Sequence, residues 1–437
     1  MQNLSIVILA AGLGTRMKST TPKVLQTLCG EPMIVHILKQ AYKLSDDVTV
    51  ILYHHADEVR QEILKAYPNT KFHIQDLQNF PGTAGALFGI NLNKEKVLIT
   101  CGDMPLISAE HLQNLADDSA EVTMAAFYAD DPSGYGRVIC DSENNVKAIV
   151  EQKDATDDEK RINLVNGGCY AFKSSVLEQI LPKITNQNSQ KEYYLTDAIA
   201  IARGLGYGVR AVLLKERELL GVNDKYQLSI AEGLMQEQIK INLMKNGVRM
   251  RLPHTIYIDS RAKFEGECEI EENSSIIGEC VIKNSVIKSS SVVESSLIDE
   301  SQIGPMARIR PKSMIKSSRI GNFVETKAAV LNGVKAGHLS YLGDCEIDSG
   351  TNVGCGSITC NYDGKSKHKT KIGKNVFIGS NTNLIAPVTV GDDVLVAAGS
   401  TISSDVKSGE LAIARAKERR IEGGFYKFFK SDNDAKR

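Results

Sequence analysis

KIGKNVFIGSNTNLIAPVTVGDDVLVAAGSTI, Lys371–Ile402, carries the pattern that decides the fold of the second half of this chain. Ile372, Ile378, Leu384, Val390, Val396 and Ile402 recur every six residues without a break, and Ile347 and Val353 share the spacing upstream. Earlier hexads stand at Ile270, Ile276 and Ile282, and at Ile303, Ile309 and Ile315. Short Val and Ile runs between Gly, Ser and Asn at this period predict a parallel β-helix. Each strand points one aliphatic side chain inward, and the coils above and below cover it. A β-sandwich whose alternation registers at six is the competing reading, and six unbroken steps count against it.

Working outward, the hexads are interrupted between Thr359 and Ile372 by CNYDGKSKHKTK, a polar excursion with Lys365, Lys367, Lys369 and Lys371. A basic loop thrown from a rigid coil can grip phosphate or coenzyme, although most charge runs are solvated decoration. Upstream, Asp224–Asn246 places Leu228, Ala231, Leu234, Met235 and Ile239 on one helical face before the stop signal Asn246-Gly247. The first half alternates apolar runs (Ser5–Ala11, Val48–Tyr53, Val97–Thr100, Val122–Ala126) with amphipathic stretches, which predicts βαβ units and a layered α/β domain. The expected division is therefore residues 1–223, a linker helix over 224–247, and a β-helix with its tail over 248–437.

The totals agree with a multi-domain globular protein. The chain has 437 residues, 42% of them hydrophobic and 24% charged, with no Trp. Lys plus Arg number 52 against 53 Asp plus Glu, so no global field attracts nucleic acid. Nine scattered cysteines without a C-x-x-C pair read as reduced thiols in a cytosol. The N-terminal apolar run lacks a basic leader and is too short to span a membrane. A cytoplasmic location without membrane insertion is the expectation.

The first strand runs into LAAGLGTRM, Leu9–Met17, with PKVL following at Pro22. Glycines let the backbone approach a ligand, and Arg16 and Lys23 add positive charge for phosphates. The spacing is neither G-x-G-x-x-G nor a P-loop, and taken alone a Gly-rich stretch here also fits a plain strand-to-helix turn. Cys101-Gly102-Asp103 ends a later apolar strand before Met-Pro-Leu, and an isolated Asp there is ordinarily a helix cap. In the second half, His338 stands within KAGHLSYLGD (Lys335–Asp344), where a lone His is more often structural.

Taken together, G-x-G-T-R-M with its downstream P-K resembles the signature of sugar-1-phosphate nucleotidyltransferases, a Rossmann-like mixed-sheet fold. Gln75, Gly82-Thr83, GYGR (Gly134–Arg137), Glu151, VNGG at Asn166 and GVN at Asn223 extend the resemblance to the uridylyltransferase half of a bacterial bifunctional family. That family joins uridylyl transfer to N-acetylglucosamine 1-phosphate with N-acetylation of glucosamine 1-phosphate. RIRP (Arg308–Pro311), GNFVETK (Gly321–Lys327), KAGHLSYLGD and TCNYDG (Thr359–Gly364) resemble its acetyltransferase half, in order, so nearly the whole chain is covered.

The resemblance implies UTP and acetyl-CoA as substrates and Mg2+ as cofactor. It implies that Leu9, Ala10, Ala11, Gly12, Lys23, Gln75, Gly82 and Thr83 seat the nucleotide, and that Gly136, Glu151 and Asn166 seat the sugar beside Cys101 and Gly102. Asp103 and Asn223 would share the metal, with Arg16 and Lys23 catalytic. In the second half it implies His338 as general base; Arg310, Lys327, Tyr341, Asn352 and Lys367 on glucosamine 1-phosphate; and Cys355, Asn361, Tyr362, Ser380, Ala398 and Arg415 on acetyl-CoA. It also implies a left-handed coil and a homotrimer. Three departures touch ligand details: GTAGA at Gly82–Ala86 where a His is common, Cys101 where an aromatic residue is common, and VNGG in place of a hydroxyl-bearing turn. The basic tail from Arg415, with FYKFF, reads as a docking segment or a frayed end. The rivals are a single-activity nucleotidyltransferase with a structural β-helix, and a non-enzymatic regulatory subunit of the same plan. Intact Arg16, Lys23 and Asp103 count against the second, and the His338 string against the first.

Overall fold

The computed structural model describes residues 3–141 and 145–429. The last eight residues of the basic tail lie outside them. Two compact units divide within one helix, residues 1–239 and 240–437.

The first unit is built on a nine-stranded mixed sheet. In chain order its strands are β1 (Leu4–Leu9), β2 (Val48–Leu52), β3 (Lys71–Ile74), β4 (Lys96–Cys101), β5 (Val122–Tyr128), β6 (Arg137–Cys140), β7 (Val146–Val150), β8 (Leu164–Lys173) and β9 (Val209–Leu213). The central order is β9-β5-β8-β4-β1-β2-β3, with β6 joining β8 and β7. β8 runs antiparallel to both β4 and β5, and β1 is parallel to β4 and β2.

Strand alternation divides the core into two layers. Ile6, Ile8 and Leu98 pack one face with helices α1 (Met33–Ala41), α2 (Ala56–Ala66) and α3 (Ala109–Asp117). Val7, Val97 and Ile99 pack the other with α4 (Ser174–Ile180) and α5 (Asp197–Gly204). The predicted helix is α6 (Lys225–Lys245). Its Ala231 and Met235 are buried with Met17, Leu28 and Val222, which anchors the loop before it to the loop after β1. Gly247, in the left-handed region, follows the helix and stops it.

The second unit is a coil of three parallel faces. The first runs from Arg249–Met250 to Leu411–Ala412, the second from Tyr257–Ile258 to Thr401–Ile402, and the third from Lys263–Glu265 to Val388–Val390. The six residues of the deciding stretch are 0–5% exposed, so the hexad period is the inward-pointing position. Corners between faces take left-handed backbone even at Phe323, Ala328 and Leu339. The stacked strands on either side impose that conformation on side chains that ordinarily avoid it. The coil from Val353 to its partner Ile378 is seven residues longer than that from Ile378 to Val396, which is the space taken by the basic excursion. Among the described residues no helix is long and apolar enough to cross a membrane.

Candidate active sites

The first site lies where the parallel strands β1 and β4 end side by side, Leu9 opposite Cys101. Gly102 N–H donates to Leu9 O at 2.9 Å, and Ala10 N–H to Ile51 O at 2.9 Å. The first ties the loop after β4 to the end of β1, and the second ties the loop after β1 to β2. A Cβ on Gly102 would meet Ile34 at 2.8 Å, whereas Gly12 faces open space that a ligand's backbone approach requires. A cleft of about 380 Å³ opens between Gly12, Arg16, Lys23, Gln75, Gly82, Thr83, Glu192 and Asn223.

Four predicted residues from distant parts of the sequence meet there. Lys23 Nζ pairs with Asp103 Oδ2 and donates to Asn223 Oδ1 at 3.1 Å, while Arg16 Nη2 donates to the same Asn223 oxygen at 2.8 Å. Val222 N–H donates to Asp103 O at 2.8 Å, and Gln227 fixes the Asn223 backbone at 2.8 Å. Asp103 and Asn223 thus aim two hard oxygens at one cationic point. Two such hard oxygens are donors of the kind that would suit a magnesium ion.

Gln75 spends its amide donors on Phe80 O (3.0 Å) and Gly82 O (2.9 Å), so its oxygen is left to accept from a ligand N–H. Thr83 Oγ1 accepts from Leu195 N–H at 2.9 Å, which leaves the hydroxyl proton to donate. Gly82 has φ +99°, and a Cβ there would sit 2.6 Å from Tyr193 O. No other residue fits the turn.

Gly136, Glu151 and Asn166 gather beside Thr196, whose neighbour Leu195 bonds Thr83 of this cleft. A Cβ on Gly136 would lie 3.4 Å from Glu151 Oε1 and 3.6 Å from Asn166 Cβ. Burial raises the Glu151 carboxyl above its ordinary range, although Thr196 Oγ1 donates to it at 3.1 Å. Cys101 turns its thiol toward Gly168 O at 3.8 Å, and burial holds that thiol protonated. Sequence reasoning missed Thr196 and Glu192, and gave no role of its own to Arg137. The last was within the quoted GYGR run, and is 1% exposed with its guanidinium directed at Tyr135 O and Lys160 O.

In the second unit the predicted residues fall on two different corners. His338, Cys355, Ser380 and Ala398 take one equivalent position in four successive coils, each two residues past a paired inward residue (Ala336, Val353, Ile378, Val396). This ladder borders the first and second faces and spans about 14 Å at about 4.8 Å per coil. Cys355 O accepts from Asn381 N–H at 2.7 Å, and Ser380 O from Gly399 N–H at 2.8 Å. Arg415 Nη1 closes the ladder on Ala398 O at 2.8 Å. The His338 side chain is exposed and has no hydrogen-bond or ion-pair partner among the described residues.

Arg310, Lys327 and Lys367 converge on the corner between the second and third faces. Arg310 Nη1 donates to Glu325 Oε1 at 2.8 Å, and Lys327 Nζ stands 3.5 Å from Asp344 Oδ2. The adjoining Lys327 ammonium pushes that of Lys367 below the ordinary lysine range, with Arg310 adding to the effect. Three cations against one shared carboxylate and Glu325 leave a positive spot suited to a dianion. The Tyr341 hydroxyl lies beside Gly343. Asn361 donates to Asp344, and Tyr362 follows in the excursion, bonding Gly364 O at 2.7 Å. Asn352, by contrast, is on the first face, paired with Lys335, and is not brought to this corner within one chain. Asp344, which ends the KAGHLSYLGD string, is the residue whose organising position the sequence reading did not assign.

The fold and sites define a class: an α/β nucleotidyltransferase domain followed by a hexapeptide-repeat transferase β-helix. The MobA-like NTP transferase domain family matches residues 6–171, and the six-repeat bacterial transferase hexapeptide family residues 369–404. "Bifunctional protein GlmU" of Campylobacter concisus (strain 13826) is 62% identical, covering 99% of each chain. That of Campylobacter curvus (strain 525.92) is 61% identical over 100% of each, and that of a Nitratiruptor species 55% identical over 98% of this chain and 99% of its own. Among solved structures, the inositol-1-phosphate CTP transferase from T. maritima aligns with 55% of this chain and 96% of its own at 17% identity and a TM-score of 0.42. The chain belongs to the GlmU family of bifunctional transferases.

Proposed function

We propose that the two sites perform the two steps of UDP-N-acetylglucosamine synthesis, each in its own unit. In the first step the β-helix acetylates glucosamine 1-phosphate. Arg310, Lys327 and Lys367 hold the phosphate, and His338 takes a proton from the amine so that its lone pair attacks the acetyl-CoA carbonyl. The carbon–sulfur bond breaks and coenzyme A leaves as its thiol. A backbone N–H at Cys355 faces the developing oxyanion. Tyr341 and Asn352 orient the ring, and Asn361, Tyr362, Ser380, Ala398 and Arg415 carry the coenzyme.

In the second step a phosphate oxygen of N-acetylglucosamine 1-phosphate attacks the α-phosphorus of UTP in line, and pyrophosphate leaves. Such chemistry needs positioning and charge neutralisation more than covalent help. Arg16 and Lys23 supply fixed positive charge at the phosphates. Gln75, Gly82 and Thr83 present an acceptor, a close backbone and a donor to the nucleoside, and Gly136, Glu151 and Asn166 face the sugar. Asp103 and Asn223 would hold magnesium, which when bound adds charge neutralisation at the phosphate oxygens.

A homotrimer completes the acetyl-transfer site in this reading. Within one chain the coenzyme and sugar residues are split between two corners, and Phe377, Leu395 and Leu411 expose an apolar column on the first face. Packing one copy's ladder against another's phosphate corner reunites the set and covers that column. The protein acts in the cytoplasm, with no nucleic-acid or membrane partner.

The observation that carries the uridylyl half is the meeting of Arg16, Lys23, Asp103 and Asn223 around one point. The test is reciprocal. Asp103→Ala abolishes magnesium-dependent pyrophosphate release and leaves thiol release from acetyl-CoA intact, whereas His338→Ala does the reverse. Near-normal uridylyl transfer in the first variant, or normal acetylation in the second, refutes the corresponding assignment.

A further inference from the structure

β8 contains a bulge whose consequence is chemical. Against β5, Asn166 pairs with Ala126 and Tyr170 with Met124, so four steps on β8 are opposed by two. On a regular strand, residues four apart lie about 13 Å from each other and cannot touch. Here the backbone turns through Gly167 and Gly168, the latter at φ +73°, and the Asn166 Nδ2 donates to the Tyr170 hydroxyl at 2.7 Å. Asn166 Oδ1 accepts Gly168 N–H at 3.1 Å. Both ends of the amide are therefore oriented, with one N–H and one lone pair left for a ligand. Bulges beside sites re-aim side chains in this way.

The partner is built to hold. Tyr170 is 3% exposed, packed among Ile149, Val138 and Phe172. Burial raises its phenol well above the ordinary value, and the Glu151 carboxylate adds to this, so it stays neutral and serves as an acceptor fixed in the core. Glu151 is the second residue facing the same space, which places Tyr170 behind both.

We propose that Tyr170 is a positioning residue for the sugar phosphate in uridylyl transfer, acting through Asn166, whose amide the bulge and the buried phenol lock toward the sugar. The proposal rests on the reading of Asn166 as a sugar contact.

Tyr170→Phe keeps the ring and removes the hydroxyl. Losing one hydrogen bond of ordinary net worth raises the KM for N-acetylglucosamine 1-phosphate by about five- to tenfold, while the KM for UTP and the rate of acetyl transfer stay at wild-type values. Those two readings show that the variant is folded. Asn166→Ala and the double variant complete the set. If Tyr170 acts through Asn166, the double variant matches Asn166→Ala alone. A normal sugar KM in Tyr170→Phe while Asn166→Ala is impaired overturns the role of Tyr170, as does an additive double variant or an equal rise in the UTP KM. A normal sugar KM in Asn166→Ala overturns instead the reading of the site on which the proposal rests.

Discussion

Gly379→Ala isolates the geometry of the ladder proposed for acetyl transfer. Gly379 follows the inward Ile378 and precedes Ser380, and a Cβ there would stand 2.4 Å from Ala398 N and 2.7 Å from Val396 O. Both are backbone atoms of the next coil, so no side chain can swing aside. An ordinary heavy-atom contact is about 3.5 Å, and the coils must part by about 1 Å to restore it. Such overpacking costs about 1–3 kcal/mol of stability. Its larger effect is on rate, because a misplacement of about 1 Å between reacting groups costs about 100-fold. Thiol release from acetyl-CoA by the purified variant should fall by about that factor. Pyrophosphate release from UTP and N-acetylglucosamine 1-phosphate, measured on the same preparation, should stay at the wild-type value. Acetyl transfer within about threefold of wild type would refute the reasoning, since it would mean that the ladder does not position the coenzyme.

Gly82→Ala forces a Cβ to 2.6 Å from Tyr193 O at φ +99°, so uridylyl transfer should fall at least tenfold with the KM for UTP raised and acetylation unchanged, as the two coupled assays would record. Glu151 gives a pH dependence. Its carboxyl is raised above 4.5 in the folded chain, so between the unfolded and folded values the native state holds a proton that the unfolded state releases, and stability falls as pH rises through that window. Glu151→Gln, which cannot titrate yet still accepts from Thr196, should remove that slope; parallel midpoint-versus-pH curves for the two proteins in thermal unfolding would contradict it. Replacing Lys367 by Met should raise the KM for glucosamine 1-phosphate several-fold and weaken its dependence on salt, checked by acetyl-transfer kinetics at two ionic strengths.

The hexads made the β-helix legible because an inward side chain recurs at a fixed step whatever the rest of the coil contains. Ile378 and Leu384 needed no knowledge of their neighbours to be read as core. β1 was legible from its own apolar run, whereas the glycines after it fitted a plain strand-to-helix turn as well as a ligand-facing one. The gathering of Asn223 with Arg16 and Lys23 was reached through resemblance, because some 200 residues separate them and no local period connects them. Thr196, Glu192 and Tyr170 carried no signal: each is an ordinary residue in its own segment, and a loop or bulge folds it against Glu151, Gly82 or Asn166.

The sequence by itself determined the repeating coil, the alternating α/β layers, the helix after Asn223 and the charged and glycine-rich strings that each site uses. These are properties of period and local backbone freedom, and neighbouring residues suffice to express them. Only the tertiary structure decided that the residues proposed for acetyl transfer divide between two corners of the coil, that Asp103 and Asn223 meet at the Lys23 ammonium, and that Asn166 turns back onto Tyr170. Those arrangements depend on which coils stack and where a strand bulges, and such long-range pairings are set by the packing of the whole unit rather than by any one segment.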